Sequence, residues 1–100
     1  MRLPVGYAQD ARNDLSSIFR YIASDNPVRA QSYTNELAKA CLKIGDLPEM
    51  GRRREDLGEG LRSFSFRKRQ VIIYEILADR VEILRIFSAG QDLGALLSDD

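Results

Sequence analysis

The 100-residue chain has no histidine, no tryptophan, one cysteine and three prolines. Each shortage excludes something. Without histidine there is no Ser-His-Asp or Cys-His nucleophile system and no His-based zinc site. Cys41 alone forms no internal disulfide, and no apolar run is long enough for a secretory signal or a membrane span. These features lead to the expectation of a small, reduced, cytoplasmic protein of one domain, residues 1–100. Net charge is also missing, since fifteen Lys and Arg balance fifteen Asp and Glu.

That balance conceals a segregation. From Arg52 to Arg69 there are seven basic residues (Arg52, Arg53, Arg54, Arg62, Arg67, Lys68, Arg69) against three acidic ones (Glu55, Asp56, Glu59). The segment is +4, so the remainder is −4. Local potential, rather than total charge, steers an acidic partner. The alternative is a solvated loop and strand face.

Hydrophobic periodicity orders the chain. Leu3, Val5 and Tyr7 alternate around Pro4, as in an edge strand. Ala11, Leu15, Ile18, Phe19 and Ile22 then recur at helical spacing, and the residue before Pro27 must leave helical geometry. Asn26-Pro27 caps and starts a second amphipathic helix carrying Ala30, Tyr33, Leu37, Cys41 and Ile44, with Glu36 and Lys39 placed to pair weakly and Gly45 read as its stop. A short link implies a helical hairpin. Glu49 to Gly60 reads as one long loop.

The second half reads as sheet. Phe64 and Phe66 alternate with serines, Val71–Leu77 is apolar on both faces, and Val81–Phe87 follows a tight turn, so these strands form an antiparallel meander. Asp92 to Leu97 suits a short C-terminal helical turn. The fold class expected is α+β: an N-terminal edge strand and an antiparallel helical hairpin packed on a small antiparallel sheet.

No residue set specifies an enzyme, and no cofactor or metal is expected. Asp10 and Asp14 share a helical face that reads as solvated, Cys41 lies on the apolar stripe, and Gly58-Glu59-Gly60 lacks the setting of a phosphate loop. Arg62 and Arg85 have the parity of apolar neighbours. Such arginines either pair internally, for example Arg85 with Glu75, or line a basic groove on the sheet that takes carboxylate or phosphate.

Six pieces in order carry a resemblance. They are Ala11–Ile22 followed by Asn26-Pro27, Pro48-Glu49-Met50-Gly51-Arg52, Gly60-Leu61-Arg62-Ser63-Phe64, Val71-Ile72-Ile73-Tyr74, Val81–Ile86, and Gly90-Gln91-Asp92-Leu93. Nearly end to end, the chain resembles the ParE/RelE superfamily of type II toxin–antitoxin modules, more closely its ParE branch. That resemblance implies a toxin that inhibits DNA gyrase by protein–protein contact and is silenced by a ParD-like antitoxin in a heterotetramer or larger complex. It implies nucleic-acid contact only through the antitoxin, and no membrane. The alternative it offers is a RelE-like ribosome-dependent mRNA endonuclease, in which basic residues act with His, Tyr or Glu. A further alternative is an inactive toxin that only binds its antitoxin and represses its own operon. Ser88 stands where the family often has histidine, and no His, Tyr or Lys follows Tyr74, so general acid–base chemistry has no evident group. The expected antitoxin or target surface comprises Arg52, Arg62, Arg69, Arg85, Ser88 and Gln91. Arg62 and Arg85 match family positions and Arg52 a Gly-Arg pair; Arg69, Ser88 and Gln91 complete the set.

Overall fold

The computed structural model describes residues 2–88. The sequence-predicted C-terminal turn at Asp92 to Leu97, and Gln91 with it, lie outside the described residues. In chain order the elements are β1 (Val5–Tyr7), α1 (Gln9–Ala23), α2 (Pro27–Asp46), a single 3-10 turn (Pro48–Met50), β2 (Arg52–Arg53), β3 (Leu61–Phe66), β4 (Gln70–Ile76) and β5 (Val81–Ser88).

Local chemistry sets the helix boundaries. The Asn26 side chain accepts a hydrogen bond from the Arg29 N–H at 3.0 Å, and Pro27 opens α2 where no donor is needed. Gly45 does not stop the helix, which runs on to Asp46. It serves close approach instead. A Cβ there would lie 2.4 Å from the Leu3 carbonyl oxygen, and Leu3 N–H donates to the Gly45 carbonyl at 2.8 Å. The bare backbone of α2 thus anchors the segment leading into β1.

The sheet order is β1-β5-β4-β3-β2. Strands β3, β4 and β5 form the expected antiparallel meander, but β1 pairs parallel to β5, so the sheet is mixed. The reason is topological. The chain leaves β1, crosses the whole helical hairpin and three strands, and returns on β5 in the same direction. The long loop is also broken up, by the 3-10 turn and by β2, which pairs with β3 through Arg52↔Ser63 and Arg53↔Arg62.

Both helices pack on one face. Ala11, Ile18, Tyr33, Leu37, Cys41 and Ile44 meet Ile72, Tyr74, Val81, Ile83 and Ile86 in a single cluster, with Phe64 and Phe66 packed against it. Ile73 and Phe87 are buried on the other face, so β4 is apolar on both sides as expected of a central strand.

A bulge in β5 changes which side chains share a face. Ile73 pairs with Arg85 while Tyr74 pairs with Ile83, leaving Leu84 as the extra residue. Simple alternation puts Ile83, Arg85 and Phe87 together. The bulge instead sends Ile83 to the helices and Arg85 with Phe87 to the opposite face.

Candidate functional site

The five sequence-selected residues that are described, Arg52, Arg62, Arg69, Arg85 and Ser88, do not form one groove. Residues directly opposite on antiparallel strands share a face. Arg52, Ser63, Ile73 and Arg85 pair in succession across β2, β3, β4 and β5, so Arg52 and Arg85 end one row on the face away from the helices. At about 4.8 Å per strand, that row spans roughly 14 Å. Arg62 pairs with Tyr74, whose side chain lies in the helix-facing cluster. A single basic groove holding both Arg62 and Arg85 is therefore ruled out by register.

Arg62 is committed to the fold around it. Its Nη1 donates to the Gly51 carbonyl at 2.9 Å and to the Glu49 carbonyl at 3.4 Å. Tyr74 completes this knot: its hydroxyl donates to the Pro48 carbonyl at 2.6 Å and accepts the Gly51 N–H at 2.9 Å. Burial raises the Tyr74 phenol pKa, and the Gly51 N–H and Arg62 charge pull it back only in part. Gly51 must be glycine here, because a Cβ would come within 2.5 Å of the Tyr74 hydroxyl and 2.9 Å of the Ser63 carbonyl oxygen. Together these contacts set the direction in which Arg52 leaves for the sheet edge, where it is exposed.

Arg85 does not pair with Glu75, which faces Glu82 across the strands. Its partner is Asp14 of α1. Arg85 Nε and Nη2 donate to the two Asp14 oxygens at 2.8 and 3.1 Å, and Ile86 N–H donates to Asp14 Oδ2 at 2.8 Å. Asp14 is thus no solvated carboxylate; its side chain is only 16% exposed. It stands in for a neighbouring strand where β1 has ended, accepting the N–H that a ladder partner would take. The Arg85 guanidinium also lies over the Phe87 ring, 4.4 Å from its centroid.

The β2–β3 connection carries its own charge chemistry. Arg54 holds Asp56 through two bonds of 3.0 and 2.9 Å, and reaches Ser63 Oγ at 3.5 Å. The hydrogen bond to Arg54 lowers the Asp56 pKa, with desolvation acting against it. Glu55 accepts the Gly60 N–H at 3.3 Å, closing the turn in which Gly60 takes a positive φ of 76°. Arg54 and Asp56 therefore cancel within the segment, and its net +4 is carried by its other basic residues.

Arg69 and Ser88 fall elsewhere, at the far end of the sheet beyond the tip of the helical hairpin. Gln70 pairs with Ser88 across β4 and β5, and Arg69 immediately precedes Gln70. Both residues border a cavity of about 620 Å3 between α1, the start of α2 and the β3–β4 turn. Arg29, Arg67 and Tyr33 also line it. Sequence reasoning passed over Arg29, Tyr33 and Gln70. Tyr33 read only as core, and the one signal for the others was the Arg67-Lys68-Arg69 run, whose turn brings it opposite a helix that is remote in sequence.

The buried phenols are occupied in this framework. Tyr33 donates to Gln70 Oε1, and burial raises its pKa against the lowering effect of Arg69, Arg67 and Arg29. Tyr7 is raised by burial and by Cys41 beside it. Among the described residues, no cluster of three or more Cys, Asp or Glu is arranged to hold a metal, and no helix is long and apolar enough to cross a membrane.

Comparison with known proteins fits this architecture. The family model described as ParE toxin of type II toxin-antitoxin system, parDE, matches residues 5–93. Toxin ParE3 of Caulobacter vibrioides is 35% identical over 85 residues, covering 84% of each chain. A structure of the chromosomal ParDE TA system from P. aeruginosa superposes with a TM-score of 0.74 at 18% identity, covering 87% of this chain and 96% of the other, which supports the fold. With the match running from β1 to beyond β5, this chain belongs to the ParE toxin family of type II toxin–antitoxin systems.

Proposed function

We propose that the protein is the toxin of a type II toxin–antitoxin module, silenced by a ParD-like antitoxin and arresting growth by protein–protein contact with DNA gyrase. The observation carrying this reading is the family match across residues 5–93. A mechanism by contact also suits the side chains. The chain has no histidine, and the Tyr33 and Tyr74 hydroxyls are engaged in hydrogen bonds with Gln70 and with Pro48 and Gly51. General acid–base catalysis needs a titratable group within reach of the transferred proton. Arginines stay protonated and serve as donors to carboxylates instead.

Within this reading, exposed Arg52 and Arg69 are direct contact residues on two separate patches. Arg62 and Arg85 are positioning residues that hold the 3-10 turn and the outer edge of β5. Ser88 borders the Arg69 patch, and Gln91 follows it in sequence. The antitoxin would be an acidic segment that orders on binding, so its electrostatic counterpart is this basic surface.

The test is expression without antitoxin, following supercoiling and DNA synthesis alongside translation. Loss of supercoiling and DNA synthesis before translation supports the proposal. Early mRNA cleavage with gyrase intact would establish the ribonuclease reading instead. Absence of any growth arrest would leave an antitoxin-binding repressor.

A further inference from the structure

Among the described residues, six large hydrophobic side chains are exposed, and four of them gather at one end of the molecule. They are Leu42 and Leu47, 62% and 65% exposed, with Met50 and Ile76. Two adjoining hollows of about 550 and 460 Å3 lie there, at the C-terminal end of α2. Leu42 lines the first, Leu47, Met50 and Ile76 line the second, and Leu3 and Asp46 are shared by both. Single apolar residues are ordinary on a protein surface, but a contiguous patch marks an interaction site.

The patch sits on a fixed frame. Tyr74 and Arg62 donate to the Pro48, Glu49 and Gly51 carbonyls in and beside the 3-10 turn, and Leu3 N–H is tied to the Gly45 carbonyl. Leu47 and Met50, at the two ends of that turn, are therefore presented on backbone that has little freedom left to lose on binding. The rim carries both signs of charge. Arg2 borders the Leu42 hollow and Glu49 the other, with Asp46 between them, 3.0 Å from Arg2. Two carboxylates against one cation give an acidic segment no purchase. The Arg69 patch is remote, because the start of α2 lines that cavity and its 20 residues span about 30 Å.

We infer that this end of the protein is a self-association surface, on which a second copy of the chain docks about a two-fold axis. A two-fold interface is isologous: the same patch serves both copies, and each contact occurs twice. An axis through the shared Leu3 and Asp46 centre lays the Leu42 hollow of one copy over the Leu47–Met50 hollow of the other. The same rotation brings Arg2 of each copy to Glu49 of the other, so the rim is complementary to itself. With zero net charge, two copies approach without overall repulsion. A stable pair buries about 800 Å2 on each copy, roughly one-eighth of the 6401 Å2 surface here. The apolar patch supplies the centre of that area, and Arg2 and Glu49 its polar rim. This association needs no antitoxin and stands apart from the toxin reading above.

Sedimentation velocity of the whole protein across a concentration series tests it. The expected result is a monomer–dimer equilibrium that shifts toward dimer as concentration rises. Leu47→Asp changes an exposed side chain, and should abolish the dimer while leaving the circular dichroism spectrum unchanged. Arg2→Glu and Glu49→Arg should each weaken the dimer roughly tenfold or more, because symmetry repeats the like-charge contact. An equimolar mixture of those two variants should recover it, since the reversed charge on one then meets the reversed charge on the other. Misfolding of either variant would not produce that recovery. Sedimentation as a monomer at every concentration overturns the inference, as does a dimer indifferent to Leu47→Asp or a mixture no tighter than its components. Loss of growth arrest in Leu47→Asp, with the unaltered protein monomeric throughout, also overturns it and assigns the face to the toxin's target.

Discussion

Removal of the Asp14 carboxylate tests whether one side chain on α1 fixes the free edge of β5. In the folded protein this carboxylate accepts three hydrogen bonds, two from Arg85 and one from the Ile86 N–H. The side chains of Asp14 and Arg85 are 16% and 26% exposed, so neither group is bathed in water as a surface pair would be. An exposed ion pair is worth about 0–1 kcal/mol. Breaking a fully buried one costs about 3–5 kcal/mol, because the surviving charge is stranded. This pair lies between those limits, and an orphaned backbone N–H adds about 1–3 kcal/mol where water cannot reach it. Asp14→Ala should therefore destabilise the protein by about 2–4 kcal/mol. In a domain of this size each kcal/mol lowers Tm by about 4–8 °C, so the loss is readily measured. Asp14→Asn keeps an acceptor for Ile86 N–H but not the charge, and should cost roughly half as much. The assay is urea unfolding followed by circular dichroism, with Arg85→Ala completing a double-mutant cycle. A loss below about 0.5 kcal/mol for Asp14→Ala, as for a surface pair, would refute the reasoning.

Two further outcomes follow from the same framework. Gly45→Ala gains about 1 kcal/mol of helix propensity, yet its Cβ would sit 2.4 Å from the Leu3 carbonyl oxygen and 2.7 Å from Val5. Displacing the segment that leads into β1 costs typically 1–3 kcal/mol, so the net effect should be a lowered urea midpoint; a raised one would show that this segment yields freely. The tyrosines set the alkaline limit. Burial holds the Tyr7, Tyr33 and Tyr74 phenols above their usual range, so the unfolded chain loses those protons first as pH rises. Stability should be full below about pH 10 and fall beyond it, and Tyr74→Phe should make that fall shallower. A flat stability profile across that range would contradict the assignment.

The sequence by itself determined both helices, the edge strand, the three-strand meander and most of their inner faces, but not the 3-10 turn or β2. Two helices at three- and four-residue spacing, the Asn26-Pro27 start and the three apolar strands are all local signals, written within a turn or a strand of the residues that cause them. Family membership was legible for a similar reason, since ordered short motifs survive without any knowledge of contacts.

Tertiary structure decided what those motifs touch. Asp14 and Arg85 are 71 residues apart, and nothing local distinguishes Asp14 from Asp10. Only the end of β1, which leaves the Ile86 N–H without a ladder partner, turns one of them into a structural carboxylate. Likewise, alternation makes Arg85 a neighbour of Ile83, but a single extra residue at Leu84 inverts the faces and separates Arg85 from Arg62. Period-two reasoning fails there because a bulge shifts every later side chain by one position, and its presence depends on strand pairing. The basic segment shows the same division of labour. Its +4 charge was countable in advance. Which arginines hold the backbone, which are paired off and which face a cavity depends on partners brought from α1, α2 and the 3-10 turn, contacts that no stretch of sequence contains.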